Sequence, residues 1–376
     1  MDIRQPDTAR LLALRFWRSA SGFWRGPSGW KACALSVLLI STVLMQLAIQ
    51  FRLNFWSRDF FDAFGRRDAA TLQAQALIFL PLAVSSIVMA VLAVWARMTM
   101  QRLWRAWLTH HLIDHWLVND DFRQLRFTLG EDQNPEYRIA EDARVATDAP
   151  IAMSMGLLTA VLSAVFFIGI LWTVGGDLVI GIFDFRLTVP RYLVISVVIY
   201  SAVLTLAVSV IAQRLLKAIA GKNAAEAQLR SIGSNLRERG EVTTASQEET
   251  VQHHSMSGAL DDVIARWRSL CHQLMGISSV SQGNVLLAPI IGWVLCAPKY
   301  LVGAMSLGQV AQVTAAFVVV LAALNWLVDN YASIADCLSS INRVASLLLA
   351  LDELEGNSSK TLLPPSAEPS LLESAN

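Results

Sequence analysis

Six stretches of the sequence contain no charged side chain, and each is long enough to cross a lipid bilayer. They cover residues 32–51, 69–96, 149–176, 192–213, 269–298 and 300–328. A helix needs about 20 residues to span the hydrocarbon core. Inside lipid the backbone must satisfy its hydrogen bonds within its own segment, so each stretch is expected to be helical. The pattern predicts an all-α integral membrane protein with six spans. The alternative is a large soluble protein that buries six such helices in its core.

The composition agrees with a membrane protein. Hydrophobic residues make up 54% of the chain and charged residues 16%, whereas a soluble domain carries about 25% charged residues. Residues 1–31 hold six basic residues but no apolar core of the kind found in cleavable signal peptides. Aromatic side chains are mixed with arginines in FWRSASGFWRGPSGW, a pattern that favours a helix lying at the membrane interface before the first span.

Basic residues are distributed unevenly between the two sides of the predicted membrane. Segments on one side carry 23 of the 30 Lys and Arg residues, and those on the other side carry 7. The positive-inside rule places the basic side in the cytoplasm. An even number of spans then puts both termini in the cytoplasm, and we expect a multi-pass protein of the bacterial inner membrane.

The two inner segments, about 97–148 and 214–268, are long and have the composition of helices. The spans are therefore expected to continue as helices beyond the bilayer, with a short turn at each inner tip. Residues 32–350 are assigned to one six-helix domain. Residues 351–376 are expected to form a short disordered tail, because most of this segment is rich in Ser, Pro and Glu.

Charges of both signs crowd into the stretch NPEYRIAEDA, residues 134–143, which lies between two apolar spans. Asn134 can cap a short helix, and Pro135 suits its first turn. A counterpart, NLRERGEVTTASQEE, lies in the second inner segment. Two readings remain open from the residues alone: the tips form a docking surface for another protein, or they are two solvated charged turns.

Four stretches resemble the membrane domain shared by the SbmA/BacA-like transporters and the peroxisomal, D-subfamily ABC transporters. They are LNFWSRDFFDAF at 53–64, RAWLTHHLIDHWL at 105–117, NPEYRIAEDA at 134–143 and AAEAQLRSIGSNLRERGE at 224–241. The third is the most specific, although Glu136-Tyr137 stands where the family usually has Asp-Gln. Gly240 also departs from the family's frequent Ala. The resemblance covers roughly residues 15–350.

The resemblance implies an ABC exporter-type fold, in which two copies of the chain exchange helices and the inner tips dock on ATPase domains. Carried over by position, the residues expected to couple to an ATPase are Asn134, Pro135, Arg138, Ile139, Asp142, Arg237, Glu238 and Glu241.

The chain itself contains no sequence suited to binding the phosphates of ATP. A phosphate cradle requires the pattern G-x-x-x-x-G-K-[ST]. The only Gly-Lys pair is Gly221-Lys222, which is followed by Asn223, with Leu216 in the place of the first glycine. The chain is therefore predicted not to be an enzyme by itself, to have no catalytic residues and to hold no cofactor. ATP and Mg are expected on a partner ATPase.

Polar residues within spans are costly in lipid and usually face an interior, so they are candidates for a substrate path. The candidates are Gln46, Gln50, Gln282, Asn284, Gln312, Asn325 and Asp329. The alternative is that they form hydrogen bonds between helices. No metal site is predicted, because His111 and His115 lie four residues apart on one helix face without further ligands. No nucleic-acid partner is expected.

These observations predict the membrane permease subunit of an ABC-type transporter, working as a homodimer in the bilayer. By resemblance its cargo is a peptide, a corrinoid or a long-chain acyl compound. One alternative is a proton-driven peptide importer of the SbmA/BacA type. The six charge-free stretches contain no carboxylate for proton coupling, which favours a partner ATPase. Another alternative is a membrane scaffold that transports nothing.

Overall fold

In the computed structural model of this protein, the described residues are 6–26, 29–117, 135–182, 185–240 and 246–361. Nearly all of them are helical. The elements are α1 Pro6–Arg25, α2 Gly29–Arg66, α3 Ala69–Leu117, α4 Pro135–Tyr137, a π-helix Arg138–Asp142, α5 Ala143–Gly175, β1 Leu178–Ile182, β2 Phe185–Val189, α6 Tyr192–Gly240, α7 Ser246–Leu301, α8 Leu307–Asp329 and α9 Tyr331–Thr361. The predicted all-α membrane fold class is confirmed.

Among the described residues, seven helical segments, rather than the six expected, are long and apolar enough to cross a membrane. The additional one, Tyr331–Asp352, follows the sixth after a break at Asn330. A search for charge-free stretches misses it because it contains Asp336 and Arg343.

Three helices are far longer than a bilayer requires. Helices α3 and α6 each have 49 residues, which corresponds to about 74 Å at 1.5 Å per residue. Helix α7 has 56 residues, and the hydrocarbon core is only about 30 Å thick. These lengths confirm that the inner segments continue as helices past the membrane. The two inner connections, residues 118–134 and 241–245, lie outside the described residues.

A short β-hairpin, which the sequence analysis treated only as an outer loop, connects α5 to α6. Its strands pair antiparallel, from Leu178 opposite Val189 to Ile182 opposite Phe185. Asp177 closes the base of the hairpin by accepting a hydrogen bond from the backbone N–H of Arg191 at 3.2 Å. A hairpin of five-residue strands leaves too weak an alternating pattern to be recognised beside long apolar helices.

The chain forms two compact units. The first contains Met1–Ile49, Ala83–Thr159 and Asn330–Asn376. Its fully buried side chains include Phe23, Leu108, Leu112, Leu347, Leu348 and Leu351. Helix α1 packs against α9, and the π-helix packs against α9 as well. The N-terminal helix, the inner end of α3, the π-helix and the last helix therefore share one core.

Helix α1 is amphipathic in this unit. It buries Phe16, Ala20 and Phe23, which are spaced so that they lie on one face, whereas Trp17 on the other side is 68% exposed. A helix lies where the sequence analysis placed one, and its position at the membrane interface stays a prediction.

The second unit contains Gln50–Leu82 and Ala160–Asp329. In it α6 packs along α7, and α7 along α8. Helix α8 approaches α2 closely at Gly308, whose backbone N–H donates to the Asp62 carboxylate at 2.8 Å. A Cβ at this position would lie 2.0 Å from the carbonyl oxygen of Arg58, so only glycine permits the contact. The carboxylate also lies favourably at the helix N-terminus.

The start of the expected C-terminal tail is helical. Helix α9 continues to Thr361, so residues 351–361 are not irregular as the tail assignment implied. The local sequence LLLALDELEG contains strong helix formers, and Arg15 binds Asp352 within it. Residues 362–376 lie outside the described residues.

Candidate functional site: the tip of the first inner hairpin

The polar stretch at residues 134–143 forms a short helical turn followed by a π-helix. Asn134 lies outside the described residues. Pro135 is the first residue of α4, where the lack of a backbone N–H breaks no hydrogen bond within the helix. From Arg138 to Asp142 the turn widens into a π-helix, which then continues directly into α5. Such π-turns frequently occur at functional sites.

Asp142, which is itself buried, forms an ion pair with Arg343 of α9. The Arg343 Nε donates to one carboxylate oxygen at 2.8 Å, and Nη2 donates to the other at 2.7 Å. The Ser340 hydroxyl lies 3.3 Å from the carboxylate. The Asp142 side chain is only 2% exposed, whereas that of Arg343 is 44% exposed. The paired geometry is the strong form of carboxylate–guanidinium bonding.

Arg138 and Ile139 also face α9. The Arg138 guanidinium donates to the backbone oxygen of Arg343 at 3.3 Å and to the Ser346 hydroxyl at 3.0 Å. Both Arg138 and Ile139 are buried, and Ile139 belongs to the core of the first unit. Three of the residues expected at a docking surface therefore contact the last helix of their own chain.

The opposite side of the same turn is open to solvent. Glu136 and Tyr137 are exposed, Tyr137 to 61%. Glu141 and Arg144 form an ion pair at 2.5 Å that is about two-fifths exposed. These side chains are accessible to a protein that docks at this turn.

The residues predicted for the second tip lie at the end of α6 and just after it. Arg237 and Glu238 lie in the last turn of α6, but their side chains are outside the described part of the chain, as is all of Glu241. Their coupling role stays a prediction.

Three of the candidates for the substrate path form hydrogen bonds to other helices through their side chains. In the first unit, Gln46 donates to the Ser86 hydroxyl at 3.1 Å. In the second unit, Asn284 accepts from the Tyr200 hydroxyl at 3.2 Å. Asn325 accepts from the Ser201 hydroxyl at 2.9 Å. This is the alternative arrangement that the sequence analysis left open.

The other candidates differ in exposure. Gln50 is half-buried, whereas Gln282 and Asp329 are exposed. Gln312 is completely buried, and neither its amide nitrogen nor its amide oxygen has a partner among the described residues. Its backbone oxygen accepts a hydrogen bond from the amide of Asn54 at 3.0 Å. Asn54 is also buried, and sequence reasoning missed it although it is a polar residue next to a span.

The histidines of α3 do not form a metal centre with other ligands in the described part of the chain. The rings of His111 and His115 lie 4.5 Å apart, and no group of three or more His, Cys, Asp or Glu residues within the described ranges could hold an ion. That the protein holds no metal stays a prediction.

Comparison with known proteins identifies the fold more specifically. Residues 26–301 match the family model described as ABC transporter transmembrane region 2. The inner membrane ABC transporter ATP-binding protein YddA of Escherichia coli is 23% identical over 341 residues, which is 90% of this chain and 61% of that protein. An uncharacterized ABC transporter ATP-binding protein of Synechocystis is 24% identical over 86% of this chain and 47% of its own length.

A third relative, the chloroplastic ABC transporter D family member 2 of Arabidopsis thaliana, is 24% identical over 45% of this chain and 24% of its own length. The chain spans less than two thirds of the length of each of these curated relatives. The family match covers more than half of the chain, including the first hairpin tip, and the helices extend beyond the bilayer as the resemblance implied. The chain therefore belongs to the ABC transporter transmembrane region 2 family.

Proposed function

We propose that this chain forms the translocation path of an ATP-driven transporter of the bacterial inner membrane, with the ATPase on a separate chain or domain. The observation that carries this proposal is the projection of α3, α6 and α7 far beyond the bilayer. Helices of that length place the hairpin tips where a water-soluble ATPase can reach them. Two relatives are named as ATP-binding proteins and are longer than this chain, which supports an ATPase partner. That partner is proposed to bind ATP together with Mg.

The orientation in the membrane follows from the charge bias and from the first unit. The pair of Asp142 and Arg343 ties α9 to the hairpin tip, beyond the charge-free stretch 149–176. A segment bound to an extramembrane tip is better explained as an inner extension of the sixth span than as a seventh span. Six crossings then leave both termini in the cytoplasm.

A homodimer is supported by an apolar stripe on α7. Met256, Leu260, Ile264 and Trp267 are 40–53% exposed, and their spacing places them on one helix face. They precede the charge-free stretch 269–298 and so lie outside the lipid in the proposed orientation. Exposed apolar stripes in water mark protein contacts. A second copy of the chain is the proposed occupant, in line with the helix exchange implied by the resemblance.

The cargo is proposed as a peptide, a corrinoid or a long-chain acyl compound, which are the classes implied by the resemblance. A proton-driven importer and a scaffold without transport are the competing functions. They differ from the proposed function in whether an ATPase accompanies the chain and whether substrate moves.

The test is purification of the tagged full chain in mild detergent, combined with uptake of a labelled peptide by cells. A co-purifying ATPase together with two copies of the chain, by light scattering, supports the proposal. Uptake without any ATPase, and abolished by a protonophore, would instead establish the proton-driven importer. Neither ATPase nor uptake of peptide, corrinoid or acyl probes would establish the scaffold.

The same preparation tests the α7 stripe. Ile264→Lys places a charge within the stripe and is expected to reduce the mass to one copy. Asp262→Asn changes the net charge by the same amount on the opposite side of the helix and should leave two copies. Dissociation in both variants, or in neither, would remove the stripe as the dimer contact.

A further inference from the structure

Two ion pairs hold α9, one from each side. Arg343 binds Asp142 of the π-helix, and Asp352 binds Arg15 of α1 through two hydrogen bonds of 2.7 and 2.8 Å. Arg343 and Asp352 are nine residues apart, which in an α-helix is about two and a half turns and about 13.5 Å. The two pairs therefore lie on opposite faces of α9, one towards the hairpin tip and the other towards the N-terminal helix.

Most of the segment between the pairs is buried. Val344, Leu347, Leu348 and Leu351 of α9 belong to the same core as Phe23 of α1. Residues on the hairpin side of that core include Ile139 and Ala143. Apolar contacts supply the attraction, while the ion pairs fix the rotation of α9 about its axis, because each guanidinium fits its carboxylate in a bidentate geometry.

The burial of Arg138 and Asp142 affects how the hairpin tip can work. Both side chains form hydrogen bonds with α9, whereas Glu136 and Tyr137 are exposed and accessible to a docking protein. Arg343, which is 201 residues away from Asp142 in sequence, determines the position of the exposed turn. Neither Arg343 nor Arg15 was among the residues predicted from the sequence.

We propose that α1, the hairpin tip and α9 move as one rigid body, held by a clasp made of Arg15, Asp142, Arg343 and Asp352. In this clasp Arg343 and Arg138 are positioning residues, which present the exposed turn at Tyr137 to the ATPase. Force applied at the turn passes to α9 and to α5. The coupling step rests on the proposed function, whereas the rigid clasp does not.

The test uses the full chain in lipid nanodiscs, with its four native cysteines replaced. Spin labels are attached at Tyr137→Cys and Leu338→Cys, both of which replace exposed residues of the first unit. The intact clasp is expected to give a narrow distance distribution. Asp142→Arg and Arg343→Asp should each broaden it, and the double exchange Asp142→Arg with Arg343→Asp should restore it.

The matched control is the exchange of Glu141 and Arg144, an ion pair on the same turn that does not involve α9. This exchange should leave the distribution narrow. If the single variants do not fold, recovery of folded protein in the double exchange supports the clasp. A double exchange no better than the single variants, or single variants as narrow as the wild type, would overturn it.

A second readout separates positioning from surface contact. For this readout the spin labels are attached at Glu136→Cys and Leu338→Cys, and the co-purified ATPase is present. Tyr137→Ala should then lose the ATPase, while the distribution of distances between the labels stays narrow. Arg343→Asp should lose the ATPase and should also broaden the distance distribution. If the wild-type distance is narrow but no ATPase co-purifies, the clasp stands and the proposed function fails. If the ATPase is retained in Arg343→Asp, the positioning role is refuted.

Discussion

Two buried amides on α8 show how different the environments of similar residues can be. Asn325 accepts hydrogen bonds through its Oδ1 from the Ser201 and Thr205 hydroxyls of α6, whereas its Nδ2 has no partner within the described ranges. The side-chain amide of Gln312, although completely buried, has no such partners within the described ranges. An unpaired buried polar group costs about 1–3 kcal/mol. Residues kept at such a cost are candidates for function, and a substrate group or a rearranged helix would supply the missing partners.

We therefore expect opposite effects from one substitution made at both sites. Gln312→Leu should leave the melting temperature in detergent unchanged or raise it, because it removes an unpaired amide. Asn325→Leu should lower the melting temperature, because two hydroxyls lose their acceptor, at about 1 kcal/mol each. If Gln312 lies on the substrate path, its stable leucine variant should nevertheless lose transport. If Gln312→Leu strongly lowers the melting temperature, the side-chain amide of Gln312 forms hydrogen bonds in the unsubstituted protein.

At the scale of elements, close contacts set the positions of the helices within each unit. The N-terminus of α8 rests on α2 through Gly308 and Asp62, and α9 rests on the hairpin tip through Arg343. In the first contact a backbone N–H binds a carboxylate, and in the second a guanidinium binds a carboxylate. Such contacts specify the rotation and register of a helix more narrowly than apolar packing does.

Gly308→Ala is expected to destabilise the second unit. The added methyl group would meet the Arg58 carbonyl oxygen and the Asp62 carboxylate, which cannot both move away. Gly258→Ala in α7 is the matched control, since a Cβ there has nothing within 4 Å. It should stabilise the protein by up to about 1 kcal/mol through helix propensity. Equal melting temperatures for the two variants would contradict the close α2–α8 approach.

At the scale of the whole molecule, the main question is how many times the chain crosses the membrane. Seven segments in the described part of the chain qualify as spans by length and composition, whereas the charge distribution agrees with six crossings. Segment Tyr331–Asp352 decides between them, because its Arg343 binds the hairpin tip and its Asp352 binds α1.

Reporter fusions at the two ends give a direct measurement. With six crossings, a reporter active only in the cytoplasm should be active when fused before residue 1 and also when fused after residue 376. With seven crossings, the two fusions would report opposite sides. A fusion within the hairpin after Ile182 serves as the control and should report the periplasmic side.

The sequence alone determined the membrane class, the first six spans and the long inner helices, because these depend on local composition that the bilayer itself selects. It also located the polar tip at residues 134–143. The charge-free criterion overlooked Tyr331–Asp352, and the β-hairpin was missed since its signal is short. Only the tertiary structure decided that Arg138 and Asp142 face α9, and that Arg343 and Arg15 complete the contacts. It also decided that the side-chain amide of Gln312 has no partner among the described residues. These facts depend on residues brought together from distant parts of the chain, and no local pattern encodes which side of a turn another helix will cover.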